Sequence, residues 1–150
     1  MKPLCPECRP EMPCGGHHVY VIELADEVIE RNKFLKENPH YDNAKRMACF
    51  YVGSTRHTVR CRYNQHVQFG DPDMEGFDCA CFSEPTFRYF RGRHPKGKTR
   101  GNRFVGQYHK YLRGRMFKHE NPFETKEAAE QREEALAQEL RAKGYGVWQN

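Results

Sequence analysis

Two short runs constrain this chain most: HVYVIEL at 18–24 and ACFYVG at 48–53. Both crowd β-branched and aromatic residues together, which predicts strands at 18–24 and 48–52. Asn38-Pro39 and Asp42-Asn43 mark turns between them. Residues 25–37 carry Val28, Ile29, Phe34 and Leu35 among charges and predict a short helix or loop. The second strand leaves the core abruptly at Gly53-Ser54-Thr55. A helix from Thr58 to about Phe69 follows, with Val59, Tyr63 and Val67 recurring every fourth residue. It carries Arg62 and His66 one turn apart, and Gly70-Asp71-Pro72 ends it.

The longest element is ETKEAAEQREEALAQELRAKG at 124–144. It has helix formers throughout, Thr125 as a start signal and Gly144 as a stop. Ala129, Leu136 and Leu140 form its inward stripe, and the vacant place in that stripe is held by Glu133. A carboxylate on the inward side is costly unless paired or bound to a cation. Two readings follow: a stripe-edge Glu that snorkels or meets an Arg, and a metal-binding or catalytic carboxylate. Upstream, NRFVGQYHKYLRG predicts a short helix and Arg115–His119 a short strand. YGVWQN at the end predicts an extended segment that packs Val147 and Trp148.

With 150 residues, 37% apolar and 30% charged, one domain with a modest core is expected. No run reaches the length of a membrane span, and MKPLCPECRP lacks the apolar core of a signal peptide, so the expected setting is cytoplasmic, with no membrane partner. The seven cysteines are an odd count, which favours reduced thiols or metal ligands over disulfides. Cys5, Cys8, Cys14 and His17 have the spacing of a small zinc knuckle in a separate segment, 1–17. His18 is an alternative fourth ligand, and Cys79 and Cys81 are more distant ones. A tail that binds no metal is the plainer reading. Cys49 and Cys61 read as small apolar residues.

Charge is one-sided. Between Arg88 and Lys118 stand eleven Lys or Arg and no Asp or Glu, while acids gather in 23–37 and 120–139. Tyr89, Phe90, Phe104, Tyr108 and Tyr111 are interleaved with that basic block. Cations for phosphates and aromatics for bases suit nucleic acid, with Arg88, Arg91, Arg93, Lys96, Lys98, Arg100 and Arg103 as candidate contacts. A solvated basic loop with its aromatics in the core is the alternative.

The order of these pieces resembles the GIY-YIG nuclease superfamily. Val19-Tyr20-Val21 stands where its first triplet would be, and Tyr51-Val52-Gly53 where its second would be. Arg62 and His66 match the Arg and His of the following helix, and Glu133 matches the metal-binding Glu. Arg62 is preferred to Arg60 because it alone keeps the four-residue step to His66. The resemblance covers 18–66 and 102–150, with insertions near 25–47 and 67–101. The first triplet lacks the Gly and Ile, and Asn150 stands where many of these domains close.

The resemblance implies an α+β fold over 18–150: a small central antiparallel sheet of about three strands flanked by helices. It implies a divalent-metal-dependent endonuclease that hydrolyses DNA, with RNA not excluded by the residues themselves. Mg²⁺ or Mn²⁺ would sit at Glu133. Tyr20 would accept the proton of the attacking water, Tyr51 would orient water or phosphate, and Arg62 would grip the phosphate. His66 would hydrogen-bond a tyrosine or the phosphate. A catalytically silent nucleic-acid-binding module on the same fold is the alternative, and a zinc-organised interaction protein a third. Monomer and dimer stay open.

Overall fold

The computed structural model describes residues 16–70, 77–79, 87–89 and 102–149. The chain divides into two compact units: Val19–Ser54 with Tyr108–Asn150, and Met1–His18 with Thr55–Gln107. The class is α+β, as expected.

The first unit is organised by a four-stranded sheet in the order β5-β1-β2-β6. Its centre is β1 (His18–Leu24) beside β2 (Cys49–Thr55), the two runs that the sequence marks as strands. Val19 to Leu24 and Cys49 to Gly53 are all buried, so both faces of these strands are covered. β5 (His109–Leu112) pairs antiparallel with β1, and β6 (Gly146–Trp148) pairs parallel with β2. The sheet is therefore mixed and four-stranded, not a three-stranded antiparallel one. A parallel return needs a crossover, and the long helix α4 (Lys126–Ala142) delivers the chain to β6.

Residues 109–112 form a strand rather than part of a helix, and a charge on β1 gives the reason. Glu23 is buried, and β5 and its flank bring it Lys110 at 3.4 Å, the Tyr111 hydroxyl at 3.0 Å and Arg113. The helix before it, α3 (Arg103–Tyr108), is accordingly short. The strand expected at 115–119 is instead two 3₁₀ turns, Gly114–Met116 and Lys118–Glu120.

Residues 25–47 form a 3₁₀ turn (Asp26–Glu30) and the short helix α1 (Asn32–Glu37). Phe34 of α1 is fully buried against β6: a Cβ on Gly146 would stand 2.7 Å from its ring. Asn38 then acts as a substitute strand partner for β6. Its amide donates to the Val147 carbonyl (2.9 Å), and its oxygen accepts from the Val147 N–H (2.8 Å). That satisfies an edge that would otherwise lie open.

α4 is built as its sequence reads. Thr125 Oγ1 accepts from the Ala128 N–H at 3.1 Å, and Gly144 takes φ +96° just beyond the end. Ala129, Leu136, Ala137 and Leu140 are its buried residues.

In the second unit, α2 (Val59–Gly70) starts at Thr58, whose hydroxyl accepts from the Cys61 N–H at 3.2 Å. β3 (Phe77–Cys79) and β4 (Phe87–Tyr89) pair antiparallel within the segment read as an insertion.

Candidate functional site

The sheet brings the two tyrosines together. Tyr20 and Tyr51 sit on neighbouring strands with ring centroids 5.9 Å apart and a tilt of 46°. Both rings are buried. Gly53 makes the approach feasible, because an ideal Cβ there would lie 2.6 Å from the Tyr20 hydroxyl and 2.9 Å from the Tyr51 ring. A bare backbone is thus required at the third position of Tyr51-Val52-Gly53 for a packing reason that stands on its own.

Glu133 does face inward. It is half-buried on α4 between the buried Ala129 and the buried Leu136–Ala137 pair. Burial pushes its carboxyl above the usual range, and Glu130 and Glu134 add to that. Hydrogen bonds from Ser54 and Gln149 pull the other way. Ser54 lies on β2, three residues beyond Tyr51, so the helix acid is tied to the strand that carries one of the two tyrosines. Gln149 follows β6, donates to Glu134 at 3.2 Å, and accepts from Arg141 at 3.3 Å. Arg141 also reaches Asn38 and the Val147 carbonyl, which ties this corner to the α1–β6 junction. Neither Ser54 nor Gln149 is marked by periodicity. The adjacency of Ser54 to Gly53 is the one sequence cue, and it gains meaning only once Glu133 is placed.

The Glu133 carboxylate is held by a hydroxyl, that of Ser54, and an amide, that of Gln149. The carboxylate and the hydroxyl are oxygen ligands, which suit a hard ion. Among the described residues no group of three or more His, Cys, Asp or Glu stands ready to hold a metal. An ion here would have Glu133 as its charged protein ligand and fill its shell with water and phosphate oxygens, the habit of Mg²⁺.

Arg62 and His66 lie on α2, in the other unit. Arg62 donates to Gln65 at 2.6 Å. His66 is fully buried, and its Nδ1 accepts from the Asn102 N–H at 2.8 Å. Asn102 in turn caps α3 through a 3.0 Å bond from Val105. His66 therefore has a structural duty: it anchors the start of α3. Its proton rests on Nε2 in this arrangement.

Cys5, Cys8, Cys14, Cys81, Arg91, Arg93, Lys96, Lys98, Arg100 and Asn150 lie outside the described residues. Arg88 falls on β4, Cys79 on β3 and Arg103 on α3 by backbone position. His17 is half-buried, just ahead of β1. Cys49 and Cys61 are buried and form no disulfide among the described residues, and burial pushes the Cys49 thiol up to about 11, so it stays protonated and unreactive. No described helix is long and apolar enough to cross a membrane. Comparison with protein-family models, with curated proteins and with solved structures finds no match.

Proposed function

We propose that this chain is a divalent-metal-dependent endonuclease of the GIY-YIG type that hydrolyses DNA phosphodiester bonds. What supports the reading above all is the meeting of Tyr20 with Tyr51 over Gly53, on the strand whose Ser54 holds the inward Glu133. Glu133 would hold a hard ion, Mg²⁺ or Mn²⁺, which would supply positive charge where the phosphate becomes more negative. Tyr20, as its phenolate, accepts the proton of the attacking water and becomes the neutral phenol, and Tyr51 orients that water or the phosphate. Ser54 and Gln149 hold the carboxylate in place. The parts that the resemblance implies for Arg62, gripping the phosphate, and for His66, a hydrogen bond to a tyrosine or the phosphate, rest on chain order alone.

The test is purified protein with supercoiled plasmid and Mg²⁺ or Mn²⁺. Nicked or linear product from wild type and none from Glu133→Ala is expected. Intact plasmid with both proteins across varied DNA substrates would remove the enzyme reading. The full burial of Tyr20 favours a second reading, a silent nucleic-acid-binding module on this fold. In that case DNA is bound in a salt-sensitive way, unaffected by Glu133→Ala, and never cut.

A further inference from the structure

We propose that the cavity lined by Gly114, Arg115, Lys118 and His119 is a phosphate site that takes a backbone phosphodiester of a polynucleotide alongside the Tyr20 strand; the polynucleotide rests on the nuclease reading above. The cavity measures about 430 Å³, and no carboxylate lines it among the described residues.

Its position follows from two tethers to β1. The loop leaves directly from Leu112, the last residue of β5, and the next N–H, that of Arg113, donates to the Val21 carbonyl at 2.9 Å. The far end of the loop returns to the same strand. The Asn121 side chain accepts from the Val19 N–H at 2.9 Å and donates to the Val19 carbonyl at 2.8 Å. Val19 and Val21 flank Tyr20 and stand about 7 Å apart at the rise of a strand. Residues 114–120 therefore project from β1 at the level of Tyr20.

The loop is also shaped from within. Phe117 is buried and pins its middle, and successive turn bonds (Met116 N–H to Arg113, Phe117 N–H to Gly114, Glu120 N–H to Phe117) fold it tightly. Gly114 leaves room for the Lys118 stem, since a Cβ there would come within 3.0 Å of Lys118 Cε. Lys118 is thus laid along the loop backbone rather than extended from it.

Charge sorts the basic residues of this region into two sets. Lys110 and Arg113 turn to Glu23. The acid nearest the cavity in sequence, Glu120, is engaged by Arg132 at 2.6 Å. Arg115 and Lys118 form no ion pair among the described residues. Two cations and an imidazole around one cavity call for an anion. A planar guanidinium beside a flexible ammonium suits a tetrahedral phosphate. The acid-free basic run from Arg88 to Lys118 ends at this loop, which suits a polymer of phosphates better than a single small anion.

The test measures binding without cleavage. Full-length chain in metal-free buffer is titrated against labelled DNA duplex, RNA duplex of the same sequence, and inorganic phosphate as competitor, over a salt series. Arg115→Ser with Lys118→Ser is expected to weaken duplex binding about tenfold or more and to flatten the salt slope by about 2, near 0.9 per lost phosphate contact. The charge-preserving pair Arg115→Lys with Lys118→Arg should keep most of the affinity, which separates lost charge from lost folding. Wild-type affinity and slope in the serine pair would overturn the site, as would a wild type that binds neither duplex. Displacement by inorganic phosphate at constant ionic strength would overturn the polynucleotide part. The relative affinity for the two duplexes identifies the polymer. Binding that depends on Arg115 and Lys118 in a chain that never cuts keeps this site and ends the nuclease reading. Metal-dependent cutting with binding indifferent to both residues does the reverse.

Discussion

The Tyr20 hydroxyl fills the space that any side chain at Gly53 would need: an ideal Cβ would lie 2.6 Å from it. The neighbours are rigid buried rings rather than a flexible chain end, so neither can yield cheaply. Gly53→Ala should cost about 1–3 kcal/mol, the usual penalty for an overpacked core. Tyr20→Phe in the same chain should recover part of that loss by removing the nearest atom. Urea melts of the four proteins measure it, and simple additivity of the two changes would contradict the contact.

Glu133 gives stability a pH dependence of definite sign. Its folded carboxyl titrates above its unfolded value, so the native state holds the proton more tightly. Stability from this group is full below the unfolded value and is lost as pH rises through the raised folded one. Glu133→Gln should therefore raise the melting temperature of the metal-free protein at pH 7 relative to wild type, with the gain shrinking at pH 4. A gain that is the same at both pH values would mean that the charge is not the cause.

Glu23 predicts the opposite limb. Burial alone would raise its carboxyl, but hydrogen bonds from Tyr111, Arg113 and Lys110 together outweigh that and hold it below the usual range. Its contribution is present above the unfolded value and lost as pH falls through the lowered folded one. Glu23→Gln should destabilise at neutral pH by about 1–3 kcal/mol, since the partners are half exposed and the bonds are charge-assisted. The acid limb of its stability profile should be flatter than that of wild type, as followed by thermal melts from pH 7 to pH 3.

Asn38 should be the most sensitive polar residue of the sheet. Asn38→Ala leaves the Val147 N–H without its side-chain partner, leaves the Val147 carbonyl with Arg141 alone, and takes an acceptor from Arg141. A cost of about 2–4 kcal/mol is expected from several buried groups left short of partners. Amide exchange at Val147 should accelerate well beyond that at Val21. Equal acceleration at both would show a global rather than a local effect.

The core strands were legible because HVYVIEL and CFYVG have nowhere to go but inward, and α4 because its propensities, cap and stop agree. Glu133 was legible too, as a charge in an apolar stripe. The edge strands were not. HKYL alternates too little to announce itself, and it is a strand because Glu23 on β1 needs the groups it carries. GVW is three residues long, and its place beside β2 is fixed by Phe34 and Asn38, more than a hundred positions earlier.

Local pattern and short-range sterics are enough to say that the two core strands are buried, where the long helix starts and stops, and which of its acids faces in. They do not reach the relations that make a site. Tyr20 and Tyr51 meet over Gly53, Ser54 and Gln149 hold Glu133, and Asn121 closes a basic loop onto the Tyr20 strand only once the chain has folded. Most of those relations join residues dozens of positions apart. They arise from sheet pairing and from buried polar groups finding partners, which no local window of sequence contains.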